Sequence, residues 1–113
     1  MAVTQFDSGT TGSLSLDTET FLGTDPQTNA GAFQFMVEVS NMARIDRLII
    51  RVYEKINDSG DTARMILEQV LTNEQQEDIW VSPCFLLLNG WRFSLEQSDG
   101  TGRTYQWSIR KAA

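Results

Sequence analysis

Near the end of the chain, Trp91 to Lys111 alternates so regularly that it reads as one β-hairpin. Trp91, Phe93 and Leu95 take turns with Arg92, Ser94 and Glu96, and Tyr105, Trp107 and Ile109 take turns with Thr104, Gln106 and Ser108. A period of two puts large apolar side chains on one face of an extended strand and polar ones on the other. Between the runs, Ser98-Asp99-Gly100-Thr101-Gly102 supplies two glycines for the backbone angles of a tight reversal. The pattern predicts a β-hairpin in which Leu95 faces Tyr105, Phe93 faces Trp107 and Trp91 faces Ile109.

The middle of the chain carries the same period. Phe33, Phe35, Val37 and Val39 alternate with Gln34, Met36 and Glu38, and Leu48, Ile50 and Val52 alternate with Arg51 and Tyr53. Asn57-Asp58-Ser59-Gly60-Asp61 is turn chemistry, joining Ile45–Ile56 to Thr62–Thr72 as a long antiparallel hairpin. Thr62–Thr72 is rich in helix formers, yet a hairpin turn precedes it and no helix cap does, so it is read as a strand. After the polar loop Glu74–Asp78 come Ile79-Trp80-Val81 and Phe85–Leu88. Pro83, without an N–H, marks a strand end or a sheet edge. Short strands at close intervals give an all-β chain: an antiparallel β-sandwich, jelly-roll-like, of about seven or eight strands.

Residues 1–31 differ in material. They hold seven threonines, four glycines and isolated apolar residues, among them Phe6, Leu14, Leu16, Phe21 and Leu22. Ser13-Leu14-Ser15-Leu16-Asp17 alternates like a short strand. Such a segment cannot build a core alone. It is expected to be an extended N-terminal arm that lies along the domain, along a neighbouring subunit, or loose, with residues 32–113 forming the sandwich.

Charge bounds the partners. The net charge is −6, and the first 43 residues contain five carboxylates and no Lys or Arg. Direct nucleic-acid binding needs clustered cations and is not expected. The acidic first third is either a docking face for a basic partner or a solvated arm. No stretch approaches the ~20 apolar residues of a membrane span, and the N-terminus lacks the basic and apolar segments of a signal peptide. A lone cysteine, Cys84, excludes an internal disulfide; set in an apolar run, it is expected to be a small buried hydrophobe.

Catalytic constellations are missing. Without a single histidine the chain lacks the commonest general base, the Ser-His-Asp and Cys-His arrangements, and the usual zinc ligand. The carboxylate pairs Asp58/Asp61 and Glu77/Asp78 fall among turn residues and read as solvated. No cofactor or metal site is expected, and the chain is read as a non-enzyme. Arg47, Arg51 and Lys55 would share a strand face, as a ladder for acidic groups of a neighbouring chain or as a plain solvated face. Trp80 and Trp91 would serve as a sugar platform only if exposed; the shared alternating face assigns Trp91 and Trp107 to the core.

The order of features across residues 31–111 carries a resemblance. A strand ending Val37-Glu38-Val39-Ser40-Asn41-Met42 is followed by Leu48-Ile49-Ile50-Arg51-Val52-Tyr53-Glu54-Lys55. Ser82-Pro83 comes next, and the segment closes on Leu95-Glu96-Gln97-Ser98-Asp99-Gly100-Thr101-Gly102-Arg103-Thr104-Tyr105-Gln106-Trp107. In this the chain resembles small all-β structural proteins of tailed-bacteriophage virions, which are short, acidic and poor in histidine. The resemblance implies a capsid decoration or cement subunit, often a homotrimer, that binds the major capsid protein between capsomers of a shell assembled in the host bacterial cytoplasm. A neck or tail subunit is similar in type, and a carbohydrate-binding sandwich for host attachment is the alternative from another class. The expected subunit interface is Phe6, Leu14, Leu16, Phe21 and Leu22 of the arm with Arg47 and Arg51.

Overall fold

The computed structural model describes residues 2–25, 27–57 and 62–112, and within them the chain is all-β. Nine strands follow in order: β1 (Val3–Thr10), β2 (Thr20–Phe21), β3 (Gly31–Glu38), β4 (Arg47–Glu54), β5 (Arg64–Thr72), β6 (Ile79–Val81), β7 (Phe85–Leu87), β8 (Trp91–Asp99) and β9 (Gln106–Ala112). They make two antiparallel sheets. One runs β1-β9-β3, with β6 and β7 sharing the outer side of β3; the other runs β2-β8-β4-β5. Taken as one interrupted strand, β6 and β7 complete a jelly roll, in which the chain changes sheet at every connection except β4 to β5. The expected sandwich is present, with nine strands among the described residues, or eight when β6 and β7 are counted as one.

The closing hairpin is not. β8 pairs with β2 and β4, and β9 pairs with β1 and β3, so the two strands belong to opposite sheets. The alternation itself holds, because Trp91, Phe93, Leu95, Tyr105, Trp107 and Ile109 are all buried. A period of two fixes which face of a strand is apolar, not which strand lies beside it. By crossing over, the chain lets these residues cover both inner walls of the core. Phe35 of one sheet meets Phe93 of the other with ring centroids 4.4 Å apart, and Phe33 meets Trp91 at 4.7 Å.

Gly100 and Gly102 serve this crossing rather than a tight turn. A Cβ at Gly100, where φ is 87°, would strike the Asp46 carboxylate, and one at Gly102 would strike the Leu14 carbonyl.

The β4–β5 hairpin forms as expected, with Leu48 opposite Leu71, Ile50 opposite Gln69 and Val52 opposite Leu67. Its turn, from Asp58 to Asp61, lies outside the described residues, as does the Asp58/Asp61 pair. A register shift after Val52 sets Tyr53 opposite Met65, which turns Met65 outward to half exposure.

Residues 1–31 are not an arm. β1 pairs along β9, and a bulge between Gln5 and Asp7 lets Phe6 turn inward onto Phe33, with centroids 5.3 Å apart. Leu14 and Leu22 belong to the buried core, and β2 pairs with β8. Ser13–Asp17 is a loop and not a strand: Leu14 points in, Leu16 points out. The boundary at residue 31 therefore cuts through one core. Apolar residues too sparse to make a core alone suffice to close the open side of a sandwich whose walls come from elsewhere in the chain.

Cys84 is exposed, contrary to expectation. Pro83 interrupts the edge, and the register slips by one residue between β6 and β7, which leaves Cys84 outside the ladder. Ser82 repairs the break. Its N–H donates to the Phe35 carbonyl and its Oγ accepts the Phe35 N–H, both at 2.9 Å.

Candidate functional site

Two groups of polar side chains stand out, and the first occupies the outer face of the second sheet. Arg51, at its centre, donates through Nε to Glu68 at 2.9 Å and through Nη1 to Glu96 at 2.8 Å, with Glu19 at 3.5 Å. The pairing register places these groups, since β4 lies between β5, which brings Glu68, and β8, which brings Glu96. Glu19 also accepts the Ser94 hydroxyl at 2.6 Å and the Tyr53 hydroxyl at 2.5 Å. Burial pushes the Glu19 carboxyl up, but these two hydroxyls and Arg51 outweigh it and hold the group below the ordinary range. Burial, reinforced by donation to Glu19, pushes the Tyr53 phenol up to about 12. The three carboxylates share Arg51 as their one cation within the chain, so Arg51 is not available to a neighbour as the ladder reading required.

The second group locks one end of the sandwich, where the β1–β2, β3–β4, β5–β6 and β8–β9 connections meet. Asp46 is its hub, with a side chain wholly out of solvent. Its Oδ2 accepts the Ala43 N–H at 2.8 Å and Arg103 Nε at 2.9 Å, and its Oδ1 accepts the Thr101 N–H at 3.2 Å. Burial raises the Asp46 carboxyl, and the Ala43 amide, Arg103 and the Thr101 amide together bring it below the ordinary value. The Asp46 carbonyl accepts the Asn73 N–H at 2.8 Å, and Asn73 Oδ1 accepts the Ile45 N–H at 3.0 Å. Gln97 adds a second tie: its Oε1 accepts the Arg103 N–H and the Tyr105 hydroxyl, and its carbonyl accepts the Asp17 N–H.

Backbone strain concentrates at this end. The three non-glycine residues of positive φ among those described are Asp17 (61°), Ile45 (70°) and Asn73 (63°), all in these connections. Asp and Asn tolerate the left-handed region, but a β-branched residue there is a genuine outlier. Ile45 is held so with its side chain 67% exposed, and Leu16 is exposed at the same end. Outliers of this sort persist only where the surroundings over-determine them, and they cluster where a surface is used.

The seven expected interface residues therefore part company. Leu14 and Leu22 are core, and Phe6 packs on Phe33 and Trp91. Phe21 lies under the Arg92 guanidinium, 3.5 Å from its ring centre, while Arg92 is ion-paired with Asp25. Arg51 is neutralised in place. Leu16 and Arg47 stay exposed, and both lie at the locked end, Arg47 at the start of β4. Ile45, Asp46 and Asn73 were not singled out by the sequence. Nothing in a sequence marks an isoleucine as left-handed, and Asp46 reads as one more loop carboxylate.

The other candidates thin out. Trp91 is completely buried, with its indole N–H donating to the Asn29 carbonyl at 2.8 Å, so it cannot be a sugar platform. Trp80 is half-buried against the core. A cleft of about 380 Å³ between β1 and β2 is lined by threonines, serines and glycines over Trp107, and no charged side chain lines it. That lining lacks the titratable pair that acid–base chemistry needs. Glu77 and Asp78 stand exposed in the β5–β6 loop, and no three-membered metal-holding cluster occurs among the described residues. Comparison of the chain with family models, with curated proteins and with solved structures found no match in any of the three.

Proposed function

We propose that this chain is a non-enzymatic structural protein of a tailed-phage virion, a decoration subunit that attaches to the major capsid protein. The observation that carries the reading is the locked loop end. Four connections are tied by Asp46, Asn73 and Gln97 so that Ile45 and Leu16 project from a rigid frame. Pre-organised apolar side chains lose little freedom on docking, so a small contact can still hold. Repeated over a shell, a weak contact of this kind becomes firm through many copies. The order of strands and turns in residues 31–111, similar to that of small virion proteins, supports the same class. Fold alone does not, because jelly rolls host many functions.

Quantitative mass spectrometry of purified particles carrying the protein tests the reading. A copy number that scales with the shell protein is expected. A count matching a single ring moves the subunit to the neck or tail, and absence from particles removes the virion reading altogether. Ile45→Asp in the same particles should lower the occupancy sharply while the free protein stays folded.

A further inference from the structure

The two outer faces of the sandwich differ in kind. That of the β2-β8-β4-β5 sheet is laced with ion pairs centred on Arg51 and Arg92. That of the other sheet carries two charged residues in its strands, Glu38 on β3 and Arg110 on β9. The inward neighbours Val37 and Ile109 are fully buried, which fixes the outward direction of these two. Met36 and Ser108 lie between them, and an apolar patch extends from Met36 away from β9: Met36 is paired with Val81, and Ile79 sits opposite Glu38. Ile79 and Val81 are about half exposed, and a groove of about 260 Å³ runs beside Met36, Ile79 and Ser108. An outer face depleted of charge on a protein of net charge −6 has the composition of an interface core.

We infer that this face is a homotypic contact between two copies of the chain, closed by reciprocal Glu38–Arg110 ion pairs. Arg110 lies opposite Gln34, four residues along β3 from Glu38, so the backbone positions of the two are roughly 13 Å apart along the strand and one strand apart across it. That is too far to pair within one chain, and neither has an ion-pair partner among the described residues. A two-fold axis lying in the face, midway between them, exchanges their positions. Glu38 of one copy then meets Arg110 of the other, twice over. The same axis passes between Met36 and Ser108 and on near Val81, and sets Met36 and Val81 close to their own counterparts, so apolar side chains meet along it and the charges flank it. Four strand positions about 4.8 Å apart (the fourth shared by the short β6 and β7) and up to eight residues long, at about 3.3 Å each, bound a face of roughly 19 by 26 Å. Two such faces together remove on the order of 1,000 Å² from solvent, enough for a specific contact of modest strength. The contact is independent of the loop end and of its attachment to a shell.

Sedimentation equilibrium of the full chain at low ionic strength, with charge reversals, tests it. The unmodified protein should be dimeric at the upper end of a concentration series. Glu38→Arg and Arg110→Glu, each setting like charges together twice, should weaken the dimer by about tenfold or more. The double variant should recover most of that loss, because the swapped charges pair again, and Val81→Lys should dissociate the dimer. Near-ultraviolet circular dichroism verifies that each variant keeps its tryptophan core. A protein monomeric throughout the series, or a double variant no tighter than either single one, overturns the inference.

Discussion

Asn73 accepts the Ile45 amide through Oδ1 at 3.0 Å, and both residues hold left-handed backbone, at φ 63° and 70°. Asn73 also returns its own N–H to the Asp46 carbonyl, so the β3–β4 and β5–β6 connections clamp one another. The clamp stores the strain of an exposed isoleucine.

Replacing Ile45 by glycine should release it. Glycine takes a positive φ without a steric penalty, and the strain of such a residue is of order 1 kcal/mol or more. The expected result is a rise in melting temperature of about 4 °C for a gain near 1 kcal/mol in a chain of this size. If the loop end docks on a shell, the same variant should bind less well, a gain in stability set against a loss of function.

Asp46→Ala removes the acceptor of three hydrogen bonds and leaves Arg103 without its partner. A buried charged acceptor of this kind should cost about 3 kcal/mol or more in chemical denaturation. Asp46→Asn, which keeps one acceptor oxygen, should cost less.

The pH dependence follows from four shifted groups. The Glu19 and Asp46 carboxyls are both depressed in the folded state, so the unfolded chain binds more protons near its own carboxylate values. Their contribution is present above about pH 4 and is lost as pH falls through the lower folded values. Tyr53 and Tyr105 are raised to about 12, each chiefly by burial. Their contribution is present below about pH 10 and is lost as pH rises toward the folded values. Denaturation midpoints across pH should give a plateau falling at both ends. Asp46→Asn should flatten the acid limb, and Tyr53→Phe the alkaline one.

Arg51→Ala leaves Glu19, Glu68 and Glu96 facing one another without their cation. Because Arg51 is mostly shielded from solvent, the loss should be about 2 kcal/mol, above the usual worth of a surface pair. Lysine should rescue it only in part, since one ammonium cannot reproduce the forked donation to Glu68 and Glu96.

Deleting residues 1–22 should prevent folding rather than release a soluble core. The deletion strips β1 from β9, removes β2 from β8 and takes away Leu14 and Leu22. Leu14→Ala alone should cost about 2–4 kcal/mol in urea denaturation.

Within the alternating runs, the residue pattern alone told which side chains are inside. The period of two marked Phe33, Phe35, Val37, Leu48, Ile50, Val52, Trp91, Phe93, Leu95, Tyr105, Trp107 and Ile109, and every one is buried. Alternation reports the face a side chain takes, and in a sandwich the apolar face has only one place to go. Partnership between strands was decided by the tertiary structure. Trp91–Asp99 and Gln106–Ala112 were legible as strands but not as members of opposite sheets, because the free energy of covering both inner walls is a property of the whole core. For the same reason the sparse leucines of residues 1–31 read as an arm and proved to be the closing side of the sandwich. The candidate site was the least legible part. The left-handed Ile45 is imposed by Asp46 and Asn73, groups brought together by loops from opposite halves of the chain, and no local pattern of residues records that constraint.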